Sequence, residues 1–370
     1  MGTLWLRPAV GVGPDGDDLG GATTTMQAVH VGTQELRDLI DDPGVRLPGG
    51  DGPCVLVVDV EPAARAALAG RSLAGLRAVV VARSDHLAEQ PSWCDLVLGT
   101  DHDDELASVV DTVARHPHAA STLVELLRVS DDMTVEAGLL AESASYGVLQ
   151  AGTEFARWHQ ERREHQERRA TRRPTRAPHD GPLRDGPLLV RRIDDVLHLT
   201  LHRPERRNAL DVSMRDALVE QLHLVQLDPT ITAVVLDGQG PDFCSGGDLD
   251  EFGTAPDASL AHLIRLERSI GRSLAAVADR LTVRLHGACI GSGIELAAFA
   301  STVRADGGVS IGLPEVEMGL IPGAGGTVSL TRRIGRHRTC RLALSRIRID
   351  AATAHEWGLV DVLDPPTGPI

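Results

Sequence analysis

Residues 284–327 read RLHGACIGSGIELAAFASTVRADGGVSIGLPEVEMGLIPGAGGT, and this stretch leaves the chain few ways to fold. Its glycines fall in tight groups between short apolar runs, the pattern of strands and helices joined by close turns. A short strand at 282–285 gives way, through Gly291-Ser292-Gly293, to an apolar helix that carries Glu295. A second strand-like run ends at Pro314, and Glu315 follows it. Two carboxylates held by separate backbone turns can divide acid and base work between them. That division suits the addition or removal of water across an activated double bond. One carboxyl protonates carbon while the other handles the water. Such chemistry also needs donors for a developing oxyanion. A second glycine turn, FCSGGDL at 243–249, allows the close backbone approach that this requires.

Charge narrows the class further. The 370 residues carry a formal charge of −15, with 42% apolar and only 2% aromatic residues, which predicts a soluble acidic globular protein of two or three domains. Nucleic acid is excluded as a partner, because the chain lacks cationic excess and stacking rings. Five scattered cysteines read as reduced thiols. With neither a signal peptide nor a membrane span evident, the expected location is the cytoplasm.

Taken in order, residues 1–28 read as a disordered Gly/Asp/Thr-rich leader. Residues 29–100 read as a small parallel α/β unit, with strands at VLVVDV, AVVVA and DLVLG and helical composition at 62–76. It has no Gly-rich phosphate loop, so it reads as a packing domain. Residues 101–166 are helical, with Leu106, Val109, Val110 and Val113 at helical spacing, then Ala120, Leu123, Val124 and Leu127. A further helix starts near Thr134, and Leu139, Leu140, Ala144, Val148 and Leu149 are its expected buried face. The basic run at 157–176 reads as a solvated helix end rather than a polyanion-binding arm, because Glu161, Glu164 and Glu167 interleave with its arginines. Residues 167–187 form a basic, then Pro/Gly-rich, linker. From Leu188 strands and helices alternate again: strands near 188–191, 196–202 and 233–236, a helix at 211–227 capped by Asp211 or Ser213, and one amphipathic helix at 258–278.

Five pieces of this second half stand together: RPERRNAL (203–210), AVVLDGQGPDFCSGGDL (233–249), HGACIGSGIELA (286–297), LPEVEMGLIPGAGGT (313–327) and AHEWGLVDVL (354–363). In order and spacing they resemble the crotonase (enoyl-CoA hydratase/isomerase) superfamily over residues 188–363. The resemblance implies an α/β core built as a spiral of ββα turns, an acyl-CoA substrate, no cofactor beyond the CoA of that substrate, no metal, and a homotrimer or hexamer. It assigns the oxyanion amides to Gly247 and Ser292, the latter a serine where glycine is usual. It assigns water activation to Glu295 and proton exchange at the α-carbon to Glu315, with Glu317 left facing solvent. Arg203, Arg206, Arg207, Ala209, Gly247, Asp248 and Leu249 fall where the family contacts CoA. Asp250 and Glu251 stand where a lysine is frequent, so a carrier-protein-bound substrate stays open beside free CoA thioesters. The helices of 101–166 are similar to those that follow the GLVD segment in the family, and are expected to close the fold from the N-terminal side.

The implied activity is that of a lyase, an enoyl-CoA hydratase adding water syn to a 2-enoyl-CoA in fatty-acid or secondary metabolism. A Δ3-Δ2 isomerase, a cofactor-free oxygenase or cyclase, and a catalytically silent acyl-CoA-binding scaffold remain as alternatives. No His-Glu-x-x-His, Cys-x-x-Cys or P-loop occurs, and no nucleophile elbow surrounds Cys244 or Ser245. His286 reads as a structural residue at a strand end.

Overall fold

In the computed structural model, which describes residues 28–42, 54–60, 66–85, 91–172 and 186–365, the alternating pattern resolves into two main sheets. The front unit comprises β1 (Ala28–His30), α1 (Thr33–Asp41), β2 (Cys54–Asp59), β3 (Ala78–Arg83) and β4 (Leu96–Leu98). Its strands pair in parallel in the order β1-β2-β3-β4. β3 is buried along its whole length, as a parallel strand covered on both faces must be. Residues 1–27 of the leader expected at 1–28 and most of the expected linker (173–185) lie outside the described residues; Ala28 opens β1, and the start of that linker is helical.

Four helices follow: α2 (Asp103–Arg115), α3 (Pro117–Ser130), α4 (Val135–Gln150) and α5 (Thr153–Arg172). Pro117 opens α3, where its missing N–H has no intrahelical partner to lose. Thr134 caps α4 by accepting from the Ala137 N–H at 3.2 Å. The face that α4 buries differs from the one its apolar spacing predicts. Leu139 and Leu149 are buried, but Leu140 and Val148 are 51% and 72% exposed, and Ala144 faces outward with them. The inward side instead carries Gly138, Glu142, Ser143, Tyr146 and Gly147. A buried carboxylate must be met by donors, and the donors that meet Glu142 set the rotation of the helix.

The second half contains β5 (Leu188–Ile193), β6 (Val196–Leu201), α6 (Val212–Leu227), β7 (Ala233–Gly238), α7 (Ala258–Glu267), α8 (Ile270–Ala275), β8 (Leu281–Leu285), β9 (Ala288–Ile290), α9 (Ser292–Ala297), β10 (Thr302–Ala305), β11 (Ser310–Gly312), α10 (Gly326–Ile334), α11 (Arg336–Leu344), α12 (Ala351–Glu356) and β12 (Val362–Leu363). Six strands form one sheet in the order β12-β10-β8-β7-β6-β5, parallel except for the β5–β6 pair, and β9 and β11 form a parallel pair beside it. Asp211, rather than Ser213, caps α6, accepting from the Met214 N–H at 2.8 Å. The single helix expected at 258–278 is broken into α7 and α8, because Ser269 caps a new helix through the Arg272 N–H at 3.2 Å. A side chain at Gly271 would sit 3.1 Å from Leu139 and 3.2 Å from Phe299, so α4 wedges directly against the break.

One hydrophobic core extends from Val55 to Val360 and joins the two halves. Within the front half, the Arg128 guanidinium of α3 ties the helices to the sheet, meeting Asp95 through Nε at 2.8 Å and Nη2 at 2.6 Å, and both side chains are buried. Arg336 of α11 reaches across to the carbonyls of Ser92 and Cys94 at 2.6 and 2.8 Å.

Candidate active site

The carboxylate of Glu295 is set by the turn before its helix. Gly291 holds φ +52°, a conformation that side chains disfavour, and α9 begins immediately after it. Glu295 is 1% exposed, and its Oε2 accepts from the N–H groups of Ala324 and Gly326 at 2.7 and 2.9 Å. Burial, then the like charges of Glu315 and Glu142, push its pKa well above the usual carboxylate range, while the two amides pull the other way. Glu315 opens a 3-10 turn, Glu315–Met318, after Pro314. Its Oε1 lies against the Gly291 backbone, where an added Cβ would stand 2.3 Å away. Its Oε2 is buried and has no hydrogen-bond partner among the described residues. Burial pushes the Glu315 pKa up to about 7, against the field of Arg348.

Both glutamates line one cavity of about 530 Å³, and so do Gly247 and Ser292. Gly246 at φ +104° makes the turn that presents Gly247. A Cβ on Gly247 would meet the Phe252 ring at 2.8 Å and lie 3.9 Å from the Ser292 hydroxyl, which sets the two glycine turns side by side. Among the described residues neither the Gly247 nor the Ser292 N–H donates to a carbonyl. An oxyanion entering the cavity would find both donors free.

A third carboxylate, absent from the motif reading, comes from the front half. Glu142 of α4 is 2% exposed and accepts from the Gly325 N–H (2.8 Å), the Thr327 N–H (2.9 Å) and the Thr327 hydroxyl (2.7 Å). Burial pushes its pKa up to about 7. Leu139, Ser143, Tyr146 and Gln150 of the same helix join it in the cavity wall. Arg265 of α7 places its guanidinium 4.7 Å from the centre of the Tyr146 ring and donates to Ser143 Oγ and Gln150 Oε1 at 3.1 and 3.3 Å. The signal that could have found Glu142 was an acid in mid-helix, beyond the first turn that suits Glu136, with glycines at 138 and 147 on the same face.

The second half has clear relatives. Residues 191–367 match the family described as Enoyl-CoA hydratase/isomerase. The 2,3-dehydroadipyl-CoA hydratase of Escherichia coli (strain K12) is 35% identical over 178 residues, which cover 48% of this chain and 69% of that protein. The chain belongs to the enoyl-CoA hydratase/isomerase family. Another similar member, the 1,2-epoxyphenylacetyl-CoA isomerase of the same organism, is 36% identical over 178 residues, covering 46% of this chain and 68% of its own length. Among solved structures, Pseudomonas aeruginosa AtuE is 33% identical, covers 49% of this chain and 71% of its own, and gives a TM-score of 0.45.

Within this family member, the residues expected at CoA separate into two groups. Gly247, Asp248 and Leu249 line the cavity. Arg203, Arg206, Arg207 and Ala209 are not in its wall. Arg203 is held by Asp211 at 3.0 Å and Asp248 at 3.3 Å, and donates to the Ala209 carbonyl at 2.7 Å. Arg206 meets Asp250 at 3.2 Å, and Arg207 meets Asp242 at 2.6 Å. Asp250 also receives Arg162 and Gln166 of α5 at 2.9 and 3.2 Å, so the acid at the lysine position ties the oxyanion loop to the front half. Glu251 accepts the Val212 N–H at 2.9 Å. Glu317 is exposed, with Arg346 at 3.6 Å. His286 meets the Gly240 carbonyl at 3.1 Å, and burial pushes the Cys244 thiol up to about 12. No helix among the described residues is long and apolar enough to cross a membrane.

Proposed function

We propose that this family member is an enoyl-CoA hydratase. The thioester oxygen of a 2-enoyl-CoA is received by the Gly247 and Ser292 amides, each contributing roughly 3–4 kcal/mol to the enolate-like transition state. Water adds to the β-carbon as its proton passes to Glu295, whose carboxylate is fixed by two amides. The electron pair displaced toward the oxyanion returns to form the C–H bond at the α-carbon, using a proton from Glu315. A pKa of about 7 lets Glu315 both carry and release a proton near neutral pH, while the two amides on Glu295 counter the burial that favours its neutral form. The observation that carries this reading is the meeting of two buried carboxylates and two free amides on one cavity. Helix α4 lines that cavity from the front half, which supports reading the helices of 101–166 as the ones that close the fold from the N-terminal side.

Glu295→Gln should lower hydration of crotonyl-CoA by about 10²–10⁴-fold, the usual worth of a general acid–base group. A wild-type rate in that variant would remove Glu295 from the chemistry. One observation favours a second reading, the Δ3-Δ2 isomerase: Glu315 Oε2 is the carboxylate oxygen left without a partner, and a proton shuttle needs only one such group. If Glu295→Gln loses hydration but still isomerises a 3-enoyl-CoA, the second reading takes precedence.

A further inference from the structure

Four consecutive amides in the turn that opens α10 are shared alternately between two carboxylates. The N–H groups of Ala324 and Gly326 go to Glu295, and those of Gly325 and Thr327 go to Glu142. The Thr327 hydroxyl adds a third donor to Glu142 at 2.7 Å. Just before the turn, Gly323 lies flat against Tyr146 of the same helix α4, where a Cβ would stand 2.5 Å from the ring. Just within it, an added Cβ on Gly326 would meet Glu295 Cγ at 2.6 Å. The turn is thus clamped from both sides, and neither carboxylate can shift without moving amides that the other one holds.

We propose that Glu142 is a positioning residue for the reaction: it locks the 324–327 turn so that the two remaining amides hold the Glu295 carboxylate in one orientation against the cavity. This rests on the hydration reading given above. Buried amides left without an acceptor are costly, so the turn keeps this shape only while Glu142 stays in place. The groups facing Glu142 are Tyr146 from its own helix, Arg265 from α7, Glu295 from α9 and Glu315 from the 3-10 turn: two acids and a phenol against one cation. Burial raises the pKa of Glu142, and the donors of the turn pull it the other way.

The test uses the full chain. Glu142→Gln keeps the size of the side chain but sets an amide NH₂ against backbone N–H donors. It should lower kcat for crotonyl-CoA hydration at least tenfold with KM changed less than twofold, and speed hydrogen exchange at the peptide bearing 324–327 while exchange elsewhere stays as in the wild type. Should that variant fold poorly, Thr327→Val removes the hydroxyl donor alone and should give the same pattern at a smaller scale, about threefold in kcat. Unchanged exchange at 324–327 overturns the lock. Faster exchange with full kcat overturns its bearing on the reaction, and a loss that appears only as a global fall in Tm overturns it as well. If the wild type hydrates no 2-enoyl-CoA, the hydratase reading fails by itself, and the exchange measurement still decides whether Glu142 holds the turn.

Discussion

The cavity has two walls of different construction. One, built from residues 245–255 and 290–327, works mainly through backbone: left-handed glycines at 246 and 291, free amides at 247 and 292, and the turn at 324–327. The facing wall, from α4 and α7, works through side chains on regular helices: Glu142, Ser143, Tyr146 and Arg265. A backbone wall tolerates few residue types, because a Cβ in the wrong place collides or forces a disfavoured φ. A helical wall asks only that a side chain of the right reach occur on the right face. The first leaves a strong mark in sequence; the second leaves almost none.

Gly291→Ala should separate the two walls most sharply. Its Cβ would fall 2.3 Å from Glu315 Oε1, at a residue with φ +52°. Displacing that carboxylate by about 1 Å should cost roughly 10²-fold in kcat/KM. Near-wild-type turnover in a purified, folded variant would show that the backbone wall is less exacting than its geometry suggests. Next comes the attachment of the front sheet to its helices. Asp95→Asn leaves Arg128 buried with its carboxylate gone, and should cost about 3–5 kcal/mol in denaturant unfolding. Since one core crosses both halves, the transition should stay single. An early separate transition of the front sheet would mean that the helical wall stands without that sheet. Smallest is Asp250→Ala, which cuts the exposed ties to Arg162 and Arg206 and should change stability by under about 1 kcal/mol. A larger loss would make α5 a firmer part of the oxyanion loop than surface pairs allow.

Legibility follows the same division. The strands near 55, 78 and 96, a cap at Asp211 or Ser213 and the parallel character of the front sheet could be read from apolar runs and turn residues. The two glutamates of the backbone wall could be read from their turns, and the structure brings Glu295, Glu315, Gly247 and Ser292 to one cavity. The rotation of α4 could not. Counting apolar positions placed Leu140 and Val148 inside, whereas hydrogen bonds to a loop some 185 residues away place Glu142 there. The break at Ser269 escaped for a related reason, since it answers to Leu139 and Phe299 rather than to its own neighbours. The arginines at 203–207 were legible as cations but not as partners already taken by Asp211, Asp242, Asp248 and Asp250.

The clamp between Glu142 and Thr327 has a temporal side. Residues separated by 185 positions meet late in synthesis. At about 5–20 residues per second, α4 waits roughly 10–40 s on the ribosome before its partner turn is made. During that interval α3 and α5 can pack against the helix, but the carboxylate on its inward face has no donors from the turn. The inward acid of α4 therefore stays without its partner amides until the glycine turn arrives.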